Sequence, residues 1–140
     1  MLRQTLRRGV AATVLMSASF LARPRLSPPP KIVAFNTARR LGVRPEDLSP
    51  LLRNGYWIVA HLGFGTALTA LDELLPGRRR GAAYGLAVWL AHYGFALPKL
   101  ELYPAPVLDD SVRAVAGFVG HIIFGASLQS LKSASRSRIR

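Results

Sequence analysis

Charge and apolarity are segregated along this chain, and that segregation restricts the fold more than any motif does. Asn54 to Leu75 (NGYWIVAHLGFGTALTALDELL) is uncharged until Asp72, and Gly81 to Leu97 (GAAYGLAVWLAHYGFAL) carries no formal charge. Val112 to Leu131 (VRAVAGFVGHIIFGASLQSL) holds a single arginine, near its start. A hydrocarbon core about 30 Å thick needs about 20 mostly apolar residues as helix, with a lower limit near 17, and each run reaches it. Half of the residues are apolar, yet the net charge is +12. In a soluble domain such a basic excess points to nucleic acid, because surface Lys and Arg neutralise phosphates. That reading requires charged and apolar residues to be interleaved on amphipathic elements. Here the basic residues stand in blocks between the apolar runs, so the charge belongs to the loops of a membrane protein and no nucleic-acid partner is expected.

A fourth run near the N-terminus, from about residue 6 to 22, is uncharged only from Gly9 to Ala22 and follows Arg3, Arg7 and Arg8. A basic start before a short apolar stretch also describes a secretory signal peptide, with Ser17, Ala18 and Ser19 as small residues near a cleavage point. The stretch continues through Phe20 and Leu21, and arginines at its ends extend the effective span by snorkelling, which favours a retained helix. Between this helix and the next, residues 24–53 open with Pro28-Pro29-Pro30, expected to be a stiff extended spacer. Ile32, Phe35, Ala38 and Leu41 then recur at helical spacing beside Arg39 and Arg40. Two readings fit: a helix lying in the membrane interface, or one packed on the end of the bundle. Pro45, Glu46 and Asp47 predict one further turn.

Charges near helix ends set orientation. Arg78, Arg79 and Arg80, with Lys132, Arg136, Arg138 and Arg140 in the C-terminal tail, place those segments in the cytoplasm, whereas the loop with Glu101, Asp109 and Asp110 faces outward. Four helices then put both termini inside. Asp109, Asp110 and Ser111 are candidate caps for the last helix. Asp72 and Glu73 are expected to pair with Arg78 to Arg80 at the cytoplasmic surface, Tyr56, Trp57 and Tyr103 to anchor in the interface, and Trp89 to pack between helices.

Two segments sixty positions apart repeat one pattern: VAHLGFGTALTAL (59–71) and VGHIIFGASLQSL (119–131). At about 100° per residue, His61, Phe64, Gly65, Leu68 and Leu71 share a face, as do His121, Phe124, Gly125, Leu128 and Leu131. This predicts two similar helical hairpins related by an axis along the membrane normal. Apolar helices gain nothing from the hydrophobic effect inside lipid, so close approach at small residues must hold them together. Gly65, Gly125 and the Gly81-x-x-x-Gly85 pattern supply such places.

His61, His92 and His121 fall at similar depth in the outer leaflet, so the three rings are able to meet. The simplest role is glue, each neutral ring donating one hydrogen bond to a neighbouring helix. The alternatives are a proton or pH response, a divalent metal held by three imidazoles, and haem b held between His61 and His121, each with a glycine four residues on to make room for a flat ring. Cysteine is absent, which excludes disulfides, thiolate metal sites and cysteine nucleophiles. No phosphate-cradling glycine loop, zinc-hydrolase signature or nucleophile elbow is present, and the reading is non-enzymatic.

The segments AHLGFGTALTAL, GAAYGLAVWLAHYGFALPKLELYPAP and VAGFVGHIIFGASLQSL, with VAATVLMS and ARRLG before them, resemble the YagU-like family of small bacterial inner-membrane proteins of unknown function. The resemblance implies a four-helix integral membrane protein and brings no established reaction or ligand. His61, Gly65, His121 and Gly125 match its recurring His-x-x-aromatic-Gly element, and His92 lies outside it. The expectation is therefore an all-α integral membrane four-helix bundle of two similar hairpins, with helices at about 6–22, 54–75, 81–98 and 112–131 and an interfacial segment at 24–53. Its partners are the lipid bilayer and either further copies of itself or another membrane protein, in an accessory or stress-related role, with a haem or metal carrier and an oligomeric transporter as alternatives.

Overall fold

The computed structural model describes residues 2–22, 27–75 and 81–137. They form helices and connecting turns, with no strand among them. The first helix, α1 (Leu2–Ser17), tightens into a 3-10 turn, Ala18–Ala22. Here Ser19 bonds back to the Met16 carbonyl at 2.7 Å. It starts earlier than the apolar run because Arg3, Gln4 and Arg7 are good helix formers.

The proline run is not an extended spacer. Pro28 is the extended N-cap (φ −65°, ψ 140°), and Pro29 and Pro30 open α2 (Pro29–Arg40), in a first turn whose N–H groups have no intrahelical partner to lose. Helix α2 ends in a Schellman turn. Gly42 takes the left-handed conformation (φ +82°), Val43 N donates to the Ala38 carbonyl at 2.9 Å and Gly42 N to Arg39 at 3.1 Å. After the 3-10 turn Pro45–Asp47, α3 (Pro50–Leu74) begins four residues ahead of the expected Asn54. Ser49 caps it, accepting from Leu52 N at 3.4 Å, and Pro50 sits at the position that tolerates it. Pro76 and Gly77, whose pairing in the sequence is a helix-stop signal, and the Arg78 to Arg80 turn lie outside the described residues, as do Arg138 and Arg140 of the tail.

The third apolar run is one helical path in three registers: α4 (Gly81–Trp89), a π segment (Leu90–Ala96) and α5 (Leu97–Lys99). Pro98 accounts for the widening. In α-register its nitrogen would lack a proton for the Gly94 carbonyl and its ring would press on that oxygen. In the wider turn Leu97 N instead reaches the His92 carbonyl, five residues back. The last helix, α6 (Ser111–Ser137), runs past both ends of the expected span, and Asp110 Oδ1 caps it by accepting from Val112 N (3.0 Å) and Arg113 N (3.1 Å).

Helix α1 packs between α3 and α6, and α4 packs on α6. The ring closes where Tyr84 Oη donates to the Leu68 carbonyl at 2.6 Å. Both hairpins cross at a glycine one turn beyond a histidine. A Cβ at Gly65 would run into the Thr13 side chain, and one at Gly125 into the backbone of Gly81 and Gly85. The repeat therefore lies in the glycines. Its phenylalanines diverge: Phe124 is buried beside Leu128, Met16 and Ala12, whereas Phe64 is partly exposed.

Segment α2 packs across α3, with Ile32 and Val33 against a second cluster of Tyr93, Leu97 and Tyr103. Asn36 Nδ2 adds a bond to the Leu102 carbonyl at 2.8 Å. Of the two expectations for this segment, the helix packed on the bundle matches these contacts.

Besides the apolar core around Phe124 and Leu128, many large apolar side chains lie on the surface. Thr13 and Thr69 are fully enclosed, while Val59 is 70% exposed and Val14, Leu90, Phe95, Val115 and Phe118 all face outward. Each enclosed hydroxyl is satisfied within its own helix, Thr13 on the Gly9 carbonyl (2.7 Å) and Thr69 on Gly65 (2.8 Å). Ion pairs sit at the two ends. At one, Arg8 meets Glu73 at 3.0 Å and Lys132 meets Asp72; at the other, Arg113 meets Asp109 and Arg40 meets Glu101. Among the described residues one helix, Ser111–Ser135, is by itself long and apolar enough to cross a membrane.

Candidate ligand cavity

All three histidines line one cavity of about 270 Å³. Met16 of α1 and Phe20 of the following 3-10 turn, Val33, Ala34 and Thr37 of α2, His61 and Phe64 of α3, His92 and Tyr93 of the π segment, and Gly117 and His121 of α6 line it. The π segment matters here because the wider turn carries His92 and Tyr93 on consecutive positions of the same wall. Phe64 lies against His92, with ring centroids 4.5 Å apart and planes at 31°. Among the described residues no group of three His, Asp or Glu is close enough to hold a metal ion, so the rings share a cavity without converging on one point.

The hydrogen bonds assign the protons. A hydroxyl has one hydrogen, and Ser17 Oγ donates its own to the Thr13 carbonyl at 2.8 Å. The 3.1 Å contact between Ser17 Oγ and His61 Nε2 is therefore donated by the imidazole. His121 Nδ1 lies 2.7 Å from the Gly117 carbonyl, which only accepts, so Nδ1 carries the proton. A neutral imidazole has one donor and one acceptor. What remains on the two rings is His61 Nδ1 and His121 Nε2, both bare acceptors.

The glycines four residues beyond His61 and His121 leave no room for a flat ring. The space at Gly65 is taken by Thr13, and that at Gly125 by the α4 backbone. Gly117 differs. It lines the cavity, and a Cβ there would meet Tyr93 and Trp89 only at ordinary contact distances of 3.7 and 3.9 Å.

The outer wall is fixed by a buried carboxylate that sequence reasoning treated only as a helix cap. Tyr93 Oη and Tyr103 Oη (2.9 Å) both donate to Asp109 Oδ2, while Arg113 Nε (3.0 Å) and Nη2 (2.6 Å) and Asp110 N (2.8 Å) donate to Oδ1. Burial alone would raise the Asp109 pKa. The bonds from Tyr93, Tyr103 and Arg113 outweigh it and leave the carboxyl below its ordinary value. Burial and the bond to Asp109 push the Tyr103 phenol up, so it stays a donor. Tyr103 is thus a buried clamp and not an interfacial anchor. Trp89 packs edge-on against Tyr93 and Phe118, at 5.8 and 5.3 Å. Asp72 and Glu73 find Lys132 and Arg8 as partners; the expected Arg78 to Arg80 lie outside the described residues.

No protein-family model matches the chain, and no curated protein sequence or solved structure is significantly similar to it.

Proposed function

We propose that this chain is a non-enzymatic, multi-pass component of the bacterial inner membrane. In this reading α1, α3, the α4 to α5 path and α6 cross the bilayer, and both termini are cytoplasmic. The observation that carries it is the surface: Val14, Val59, Leu90, Phe95, Val115 and other large apolar side chains face outward, threonines and glycines stand at the helix crossings, and the Arg8–Glu73, Lys132–Asp72 and Arg113–Asp109 pairs lie toward the ends. In water, an apolar surface of this extent is an aggregation liability. In lipid it is the expected exterior, and small residues are the expected interior.

The path from Gly81 to Lys99 supports the count of spans. About 19 residues at about 1.5 Å each give about 28 Å, the thickness of a hydrocarbon core. Membership in the YagU-like family, part of the same proposal, implies the same architecture. The test is to wash isolated membranes with alkaline carbonate. The full chain stays with the lipid pellet and leaves it only with detergent; release by carbonate alone overturns the reading. Reporter fusions at the 100–110 loop and at the C-terminus then report external and cytoplasmic signals respectively.

A further inference from the structure

The cavity offers His61 Nδ1, His121 Nε2 and the whole ring of His92 to a ligand, and no charged side chain is among its lining residues. A ligand with formal charge would find no counter-ion there, and burying a charge unpaired is strongly unfavourable. The ligand is therefore neutral. Its size follows from the volume. About 270 Å³ lies just below the usual range of small-molecule sites, about 300 to 1,000 Å³, and suits one or two fused rings but not a tetrapyrrole. The surrounding Met16, Phe20, Phe64 and the face of His92 suit a flat apolar body.

The polarity of the ligand's head follows from the assigned protons. His61 and His121 have already committed their N–H groups to Ser17 and Gly117, so each offers a lone pair and not a donor. Among the described residues, the fully enclosed polar side-chain atoms without a partner are Arg8 Nε and Trp89 Nε1. The bare nitrogens of His61 and His121 are not among them and open onto reachable space. At His61 and His121 a carbonyl ligand would set acceptor against acceptor, and of the three imidazoles only the His92 ring has a donor to give it. A hydroxyl would complete the bond.

We propose that this cavity binds a neutral, one- or two-ring hydroxyl compound of the phenol or hydroquinone class, whose O–H groups are accepted by His61 and His121. The inference rests on the membrane reading only for the source of such a ligand, which partitions into the bilayer. His61 and His121 come from α3 and α6, helices that make little direct contact, so a ligand between them bridges the two hairpins.

The test uses the purified full chain in detergent micelles and two stable probes of nearly equal shape, 2-naphthol and 2-methoxynaphthalene, followed by calorimetry. The naphthol is expected to bind at least ten-fold more tightly than its methyl ether. Equal binding of both makes the cavity an apolar void, and binding of neither makes it empty of function; each overturns the proposal. His61→Phe and His121→Phe are each expected to weaken naphthol at least ten-fold while leaving the ether unchanged, and undiminished naphthol binding in both overturns the assignment. Gly117→Leu extends a side chain into the cavity from the α6 wall, one turn from His121, and keeps both imidazoles. It abolishes binding of both probes if the site is here; retained binding in the folded variant overturns the location. Failure here is distinct from failure of the membrane reading. A chain retained by carbonate-washed membranes that ignores naphthol fails only this inference, and one released by carbonate that binds naphthol fails only the other.

Discussion

Gly65 of α3 faces Thr13 of α1 so closely that a single added methyl group would overlap the threonine side chain, and Gly85 of α4 stands in the same relation to the backbone carbonyl of His121. The two crossings look alike but do not respond alike. Thr13 is a single side chain, whose displacement gives up its bond to the Gly9 carbonyl, whereas the His121 carbonyl belongs to a helix that must shift as a body. We expect Gly85→Ala to destabilise the bundle by about 3 kcal/mol and Gly65→Ala by about 1 kcal/mol, the upper and lower ends for overpacking. Thermal unfolding of the two variants in detergent gives the order directly, and the reverse order would contradict the crossing geometry.

Asp109 makes the protein acid-sensitive. Its carboxyl is held below the ordinary value in the folded chain. Its contribution is therefore complete above the unfolded pKa, about 4, and disappears as pH falls through the lower folded value. Asp109→Asn costs about 3 kcal/mol at neutral pH, because it leaves Arg113 without its charge partner. In return the variant lacks this part of the wild-type loss of stability below about pH 4. Melting curves of both proteins from neutral to strongly acid pH are expected to converge, and parallel curves would refute the role given to the carboxylate.

Leu90 lies at the middle of the Gly81 to Lys99 path and is more than half exposed. On a water-facing surface Leu90→Asp would be harmless or would improve solubility. Facing lipid, it costs about 3 kcal/mol on the insertion scale for a central aspartate. The amount of full-length variant recovered in carbonate-washed membranes separates these outcomes, and undiminished recovery counts against the proposed span.

Glu73 pins α1 to α3 by accepting from Thr5 Oγ1 at 2.6 Å and Arg8 Nη1 at 3.0 Å. Both side chains of the Arg8–Glu73 pair are largely covered, so the bond is worth more than an open surface pair. A double-mutant cycle with Arg8→Met and Glu73→Gln is expected to give a coupling of about 2 kcal/mol, typical of a hydrogen bond between charged groups. A coupling near zero would place the pair with ordinary surface contacts.

The amino-acid sequence alone determined where the helices run and which ends carry charge. Hydropathy runs and Asp110 before α6 are local signals, read within a turn or two, whereas the apolar run places the start of α3 only at Asn54 and misses its Ser49-Pro50 start. Even there, Pro28 to Pro30 misled, because a proline run is equally compatible with an extended spacer and with a helix's first turn. Pro98 reads in the sequence as the end of the third helix, whereas the path runs through it to Lys99 by way of a wide turn. The tertiary structure decided the rest: that Gly65 meets Thr13, that Asp72 and Glu73 choose Lys132 and Arg8, that Tyr103 turns inward to Asp109, and that α2 lines the cavity with the histidines. The reason is physical. A helix that is apolar on every side carries no pattern to mark its inner face, so partner choice rests on backbone approach at glycines and on hydrogen bonds between distant residues. Those terms come into being only when the helices cross.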